Sequence, residues 1–356
     1  MLQEVFNAFG LTENISSAVP FGSGLINHTW KIGTNGNTFI LQRINHHVFN
    51  NPEAIAHNLR VSGKYLAQHY PDYLFILPVK STDGGDFYWD KENGYFRLMP
   101  FVENSHTIDV VMDLQLAFEA AKQFGKFARL LSDFNPSLLK ITLPDFHNLS
   151  LRYQQFEEAL INGNSSRISE SEQLIAAIIA NKDIADVFED IKRNKEFKLR
   201  VTHHDTKISN VLFNENNKGI CVIDLDTLMP GYFISDAGDM LRTYLSPVSE
   251  EEKDFSKIEI RDDYFLAITK GYLGELKDKL SEQEIQHFVY AGKFMTYMQA
   301  IRFLTDYLNN DTYYGSKYEG HNLVRAGNQL ALLKKLIEKE DVLQQLVSDF
   351  IMLQTP

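Results

Sequence analysis

Cysteine is almost absent from this sequence: Cys221 is the only one among 356 residues. An internal disulfide and a thiolate metal cluster are thereby excluded. Lying between Ile220 and Val222 on an apparent strand, Cys221 reads as a packing residue rather than a reactive thiol. Long apolar runs are missing as well. None approaches the roughly 18 residues needed to cross a bilayer, and the opening MLQEVFNAFG lacks a basic segment followed by an apolar stretch. A membrane association is not expected, and the reading is cytoplasmic. Positive charge is in deficit, with 35 Lys and Arg against 47 Asp and Glu and a net charge of −12. Phosphodiester backbones are bound largely through Lys and Arg that displace counterions, so nucleic acid is not an expected partner. Internal repeats and low-complexity tracts are also lacking, which sets aside a solenoid.

What is present is ordinary core-forming material, 44% hydrophobic and 23% charged, in a chain longer than a single core usually supports. Two lobes are expected, residues 1–104 and 105–356. The first is strand-rich. Val19 to Gly24, His28 to Ile32 and Thr38 to Ile44 read as strands, with Asn35-Gly36 a strong hairpin signal between the last two. Pro52 to Gln68 reads as a helix, with Pro52 in the first turn and Ile55, Leu59 and Leu66 near helical spacing. Further strands are expected at Phe75 to Val79, Phe87 to Asp90 and Tyr95 to Phe101, the last two joined by the turn at 91–94. After Asn104 helical patterns dominate, at Asp113 to Ser132, Leu149 to Asn162, Ser171 to Asn181, Ser281 to Leu308 and Leu323 to Lys339. A hairpin, Val211 to Phe213 and Ile220 to Ile223, interrupts them around the turn-rich 214–219. The fold class is therefore α+β, a small antiparallel-sheet lobe followed by a larger, mainly helical one.

The chemistry concentrates around that hairpin. His203-His204-Asp205-Thr206-Lys207-Ile208-Ser209-Asn210 leads into its first strand, and Ile223-Asp224-Leu225-Asp226 follows its second. Antiparallel pairing returns Asn210 and Asp224 to the same end. An amide oxygen and a carboxylate can then share a hard cation, and so few ligands suit Mg²⁺ that takes the rest from nucleotide phosphates and water. Asp205 lies five residues before Asn210, placed to accept a proton from a hydroxyl attacking a terminal phosphate.

His-x-Asp-x-x-x-x-Asn followed by a hydrophobic-Asp strand end resembles the catalytic and metal loops of protein-kinase-like folds, with His203, Asp205, Asn210 and Asp224 in the matching positions. Asp-Phe-Gly is absent. Ile223-Asp224-Leu225 instead resembles the variant of the aminoglycoside phosphotransferases and choline kinases, which implies a small-molecule acceptor, ATP as co-substrate and Mg²⁺. By the same resemblance Asp236, in Asp236-Ala237-Gly238-Asp239, supports the catalytic loop, as His203 does, and Lys207 neutralises phosphate charge. Phe21-Gly22-Ser23-Gly24 sits between two strands, where Gly22, Ser23 and Gly24 let backbone N–H groups approach phosphate. Arg43 takes the place of the strand lysine that contacts ATP, as in choline kinases. Its helix partner is open between Glu53 and His57. Leu98-Met99-Pro100-Phe101 matches the hinge, with Met99 and Phe101 as the adenine contacts.

The acceptor reading rests on Arg302-Phe303-Leu304-Thr305-Asp306-Tyr307 and the Asn-, Asp- and Tyr-rich loop after it through Tyr313-Tyr314. With Phe39 to Asn45 and Asp224 to Gly231, these segments are similar to bacterial N-acetylhexosamine 1-kinases over most of the chain. The resemblance implies a sugar acceptor, with Arg302 and Tyr313 lining its pocket; tyrosine faces and polar forks suit a sugar ring and its hydroxyls. An aminoglycoside or other small-alcohol kinase is the first alternative and a nucleotide-binding pseudokinase the second. Which sugar, which hydroxyl and which oligomeric state stay open at this point.

Overall fold

The Asn35-Gly36 tip closes as its chemistry suggests. Strands β2 (His28–Gly33) and β3 (Thr38–Arg43) pair antiparallel from Gly33↔Thr38 to His28↔Arg43, and Thr34 donates its N–H to the Asn37 carbonyl at 2.9 Å. The computed structural model describes residues 2–11, 15–22 and 26–353. With β1 (Ser17–Pro20), β4 (Tyr88–Asp90) and β5 (Gly94–Pro100), these strands form a five-stranded antiparallel sheet ordered β1-β2-β3-β5-β4. Ile32, Leu41, Phe96 and Leu98 are buried on one of its faces together with Val5, Phe6 and Phe9 from α1 (Leu2–Asn7) and the turn after it. The 91–94 turn is held by Asp90, whose Oδ1 accepts the N–H groups of Glu92 at 3.0 Å and Asn93 at 2.8 Å.

Phe75 to Val79 does not form the expected strand. Pro78 has no N–H to give a ladder, and Val79 donates to the Leu98 carbonyl at 2.7 Å. The expected strand over 19–24 is shorter, ending at Pro20; Ser23 and Gly24 lie outside the described residues. The chain divides into two compact units, and it passes between them several times rather than once near residue 104. The first comprises residues 1–109, 130–144 and 209–230, and the second 110–129, 145–208 and 231–356. The first unit recruits the 209–230 hairpin because a short strand, β6 (Ser105–His106), pairs with it.

Its principal helix, α2 (Pro52–His69), starts where Asn51 accepts the Ala54 N–H. One buried residue on its inner face ties distant segments together. Asn58 donates Nδ2 to the carbonyls of Lys140 at 2.8 Å and Leu228 at 2.7 Å, and accepts the Lys140 N–H. Cys221 is buried in the same unit, and burial pushes its thiol up to about 12, in keeping with a packing role.

The second unit is helical: α3 (Leu114–Leu130, crossing its boundary), α4 (Leu149–Asn162), α5 (Ser165–Glu170), α6 (Glu172–Ala180), α7 (Asp183–Arg193), α8 (Phe233–Tyr244), α9 (Asp262–Leu276), α10 (Glu282–Gln286), α11 (Phe288–Leu308), α12 (His321–Glu338) and α13 (Glu340–Leu353). A short strand, β7 (Arg200–Thr202), precedes the His203 loop. The helix expected from Ser281 to Leu308 is two, separated at His287, the first opened by a reciprocal Ser281–Glu284 capping box. Helix α11 is buried nearly all round, the mark of a central helix.

Helix α8 packs against α11 at Gly238. A Cβ there would lie 2.9 Å from Met295 Cβ and would collide with the Ala291 carbonyl, a backbone group that cannot rotate away. Gly238→Ala should therefore destabilise the protein by about 1–3 kcal/mol, the usual range for overpacking, read as a lower midpoint in urea unfolding.

Candidate active site

In the helical unit the loop after β7 is clamped by the start of α8. The Asp236 carboxylate accepts the N–H groups of His203 at 3.1 Å and His204 at 2.8 Å. Asp239 Oδ2 accepts the Thr206 N–H at 2.9 Å, the Thr206 hydroxyl donates to the Asp236 carbonyl at 2.7 Å, and Tyr244 donates its hydroxyl to the Thr206 carbonyl at 2.7 Å. His203 is buried, its ring edge-on to Phe124 at 5.1 Å. His204 has a φ of 67°, sparsely populated for a residue with a side chain, and the clamp on its N–H holds it there. Burial pushes the Asp236 carboxyl up to about 6, although His203 and the two backbone donors favour its charged form.

This clamp presents Asp205, partly exposed, 2.9 Å from Lys207 Nζ. The Asp205 carboxylate raises the Lys207 ammonium above its ordinary value and so keeps it charged. An acceptor carboxylate and a cation thus stand side by side, which suits taking a proton beside a polyanion.

The first unit holds the other expected pair. Hairpin strands β8 (Val211–Asn214) and β9 (Gly219–Val222) pair Val211↔Val222, and the Ile223 N–H donates to the Asn210 carbonyl at 2.9 Å. Asn210 and Asp224 therefore leave the same end of the hairpin. Asp224 is left-handed, at φ 58° and ψ 55°. One amide and one carboxylate oxygen are donors that fit Mg²⁺, and no cluster of three or more His, Cys, Asp or Glu able to cage a metal occurs among the described residues. Such a pair needs phosphate and water to complete the coordination.

A guanidinium that meets the loop after β9 within this unit is that of Arg97 on β5, a residue the sequence reading missed. It forms a buried ion pair with Asp226 and donates Nε to Gln42 Oε1 at 2.9 Å, Gln42 being its cross-strand partner. Asn27 completes the group, donating to Asp226 Oδ2 at 2.8 Å and accepting the Asn45 N–H at 3.0 Å. Arg43, next along β3, points to the opposite face of the strand from Gln42. His57, one of its two candidate partners, hydrogen-bonds the Leu138 carbonyl at 2.8 Å, while Glu53 is exposed on the same helix. Gly22 has a φ of 82°, with open space where a Cβ would stand.

Strand pairing also bears on Met99 and Phe101. Phe101 donates its N–H to the Thr38 carbonyl at 3.2 Å, and antiparallel alternation turns the Met99 groups toward Ile40. The groups on the far side of this segment belong to Leu98, Pro100 and Val102. Leu98 and Val102 carbonyls accept from Val79 at 2.7 Å and from the Ser105 hydroxyl at 2.6 Å. The Pro100 carbonyl and the Val102 N–H have no partner among the described residues and are the groups open to a ligand.

Arg302 and Tyr313 do come together, in the helical unit. They line a cavity of about 420 Å³ with Arg152, Gln155, Thr305, Asp306 and Tyr314. Asp306 shapes its wall by accepting the N–H groups of Tyr313 at 2.7 Å and Tyr314 at 2.9 Å and the Asn322 amide at 3.1 Å. A ring chain runs from this wall to the Asp205 loop. Arg302 lies over Phe146 at 5.7 Å, Phe146 stacks on His147 at 4.4 Å, and His147 meets His204 at 5.3 Å.

An antiparallel sheet ending in a paired Asn and Asp, and a helical unit carrying a clamped Asp-Lys loop, define a phosphotransferase of the two-lobed protein-kinase-like fold. The chain belongs to the phosphotransferase enzyme family, whose model matches residues 17–264, and is a small-molecule kinase. Similar solved structures include an aminoglycoside phosphotransferase from Alicyclobacillus acidocaldarius, at TM-score 0.65 and 11% identity over 98% of this chain and 96% of that one. A microcompartment-associated aminopropanol kinase is similar at TM-score 0.65 and 12% identity, over 96% and 98%. A spectinomycin phosphotransferase in complex with ADP and spectinomycin follows at 0.58 and 15%, over 95% and 97%. At these identities the likeness is one of fold.

The clamp has a charged anchor. Arg242 donates to Asp239 Oδ1 at 2.9 Å and to Glu250 Oε2 at 2.7 Å, and Arg325 pairs with the other Glu250 oxygen. Burial pushes the Glu250 carboxyl up, but the two arginines outweigh it and bring it down to about 2. A depressed carboxyl contributes stability above its ordinary 4.5 and loses it as pH falls toward 2. Glu250→Gln should cost about 1–3 kcal/mol at neutral pH, because Arg325 loses its close carboxylate partner and Arg242 keeps only Asp239. Urea unfolding across pH should also show that the variant has lost part of the acid dependence between those values.

Proposed function

We propose that the protein transfers the γ-phosphoryl group of ATP to a sugar hydroxyl, that of an N-acetylhexosamine or a related sugar, at the anomeric position. The observation that carries the reading is the clamped loop presenting Asp205 beside Lys207, in the same unit as a cavity walled by arginine, tyrosine and amide groups. The acceptor hydroxyl oxygen attacks the γ-phosphorus, its proton passes to the Asp205 carboxylate, and the bond to the β–γ bridging oxygen breaks so that ADP leaves. Lys207 balances negative charge next to that carboxylate. Asn210 and Asp224 would hold Mg²⁺, whose chemistry when bound is to neutralise the phosphates. Gly22, with Ser23 and Gly24, would approach the phosphates through backbone N–H groups. The adenine edge would be met by the Pro100 carbonyl and the Val102 N–H. Arg302 and Tyr313 would hold the sugar. An aminoglycoside acceptor is disfavoured by the cavity, where a polycation would face two guanidinium groups.

ADP release measured on a panel of N-acetylhexosamines, hexoses and aminoglycosides tests the reading; turnover confined to aminoglycosides would overturn it. Within that assay Asp205→Asn should fold and bind nucleotide normally yet lose about 10²- to 10⁴-fold in kcat, the usual span for a general base. A near-normal kcat would remove Asp205 from that role.

The metal pair has its own test. Asp224→Ala should raise the Mg²⁺ concentration needed for half-maximal turnover well above that of Asn210→Ala, since a carboxylate binds a hard cation more strongly than an amide. Unchanged Mg²⁺ dependence in both would exclude the pair.

A further inference from the structure

The cavity in the helical unit has a charge imbalance. Arg302 is only 9% exposed, yet its hydrogen bonds are long: 3.3 Å from Nη1 to Gln299 Oε1 and 3.4 Å from Nη2 to the Tyr313 hydroxyl. Arg152, on α4, donates Nη1 to Gln155 Oε1 at 2.9 Å and Nη2 to the Asp145 carbonyl at 2.8 Å. Neither guanidinium is in an ion pair among the described residues. Burial, and then the charge of Arg302, hold Arg152 below its ordinary value, as two like charges at one cavity should.

The acids at the cavity form no ion pair with either arginine. Asp306 spends its carboxylate on two backbone N–H groups and the Asn322 amide. Glu158 is exposed and accepts from Gln154 at 2.9 Å. The remaining polar atoms give a second, independent indication. Arg152 Nε, Thr305 Oγ1 and the Tyr314 hydroxyl oxygen are each buried without a hydrogen-bond partner among the described residues, and all three residues line this one cavity. Buried groups are normally paired, so three orphans behind one wall mark that wall as polar and incompletely satisfied. Each can donate. A ligand that meets two guanidinium groups without a carboxylate partner among the described residues is rich in acceptor oxygens and negatively charged.

We propose that this cavity binds an oxyanion, and that the acceptor is a sugar carrying a carboxylate, held by Arg152 and Arg302. That the bound group belongs to the acceptor rests on the reading of the cavity as the acceptor site; the binding of the oxyanion does not. The proposal assigns Arg152 a part in specificity that neither its motif context nor its spacing suggested.

Ligand-observed NMR titration of the full chain without nucleotide separates the two. The probes are glucuronate, glucose, glucosamine and inorganic phosphate, at low and moderate salt. Glucuronate should bind at least tenfold more tightly than glucose, glucosamine most weakly, and the preference for glucuronate should shrink as salt screens the cations. Arg152→Gln should weaken glucuronate about tenfold and leave glucose within twofold. Should that variant fail to fold, Arg152→Lys keeps the charge without the fork, and a loss smaller than tenfold is expected. Glucuronate binding no tighter than glucose overturns the proposal. Phosphate binding as tightly as glucuronate overturns the sugar-acid assignment. Failure of ADP release on that panel extended by glucuronate, with a retained glucuronate preference in binding, would instead count against the proposed catalysis alone.

Discussion

The Asp236 carboxylate is the interaction on which the catalytic-type loop depends. Two successive N–H groups, of His203 and His204, are accepted by the two oxygens of this one carboxylate, and the chain enters the left-handed region at His204 directly after them. Each remaining hydrogen bond of the loop builds on it. Asp239 and the Asp236 carbonyl fix Thr206, Tyr244 fixes the carbonyl that follows, and Asp205 projects between them. Because the clamp is buried, its charges need counter-charges, and the Arg242–Glu250–Arg325 chain supplies them at the far side of Asp239. The close approach of α8 to α11 at Gly238 keeps the clamp in register with the helical core.

The first unit solves a comparable problem with fewer charges. The metal-type loop after β9 is held by one buried ion pair, Arg97–Asp226, and by the Asn58 amide on the Leu228 carbonyl. Both anchors come from elements far away in sequence. Arg97 and Asn27 both reach the Asp226 carboxylate, and Arg97 is in turn oriented by Gln42 across the strand pair. The neighbouring Asp224, in a left-handed conformation, is thus set by a rigid base rather than by its own loop.

Acceptor selectivity, on the reading developed above, is an electrostatic matter. Within one fold class the same cavity position can be acidic or basic, and the sign decides which acceptors can be desolvated there. Here Asp306 is directed at backbone N–H groups while neither guanidinium meets a carboxylate among the described residues, so two arginines are left to face a ligand even though the whole protein carries −12. Net charge describes the surface as a whole and says little about a cavity of a few hundred cubic ångströms.

Much of this protein is legible without coordinates where the information is local. Turn chemistry at Asn35-Gly36 and at Asp90 to Gly94, the periodicity of α2 and α4, and the order of His203, Asp205, Asn210 and Asp224 around a hairpin all depend on residues close in sequence. Elsewhere local signals mislead. Pro78 sits inside an apolar run and denies it a ladder, and α8 reads as a polar motif because its buried carboxylates are satisfied by a loop some thirty residues away. The arginine in contact with Asp226 lies on β5, and strand alternation turns Arg43 to the other face; sequence position cannot reveal which side chain a distant acid will meet. The same holds for Arg152 and Arg302, 150 residues apart and on different helices. The sequence by itself determined the two-lobed α+β class and the membership among small-molecule kinases, because periodicity, turns and hairpin spacing are short-range properties of the chain. Only the tertiary structure decided which charges are compensated, since that depends on burial and on partners that long-range packing brings together.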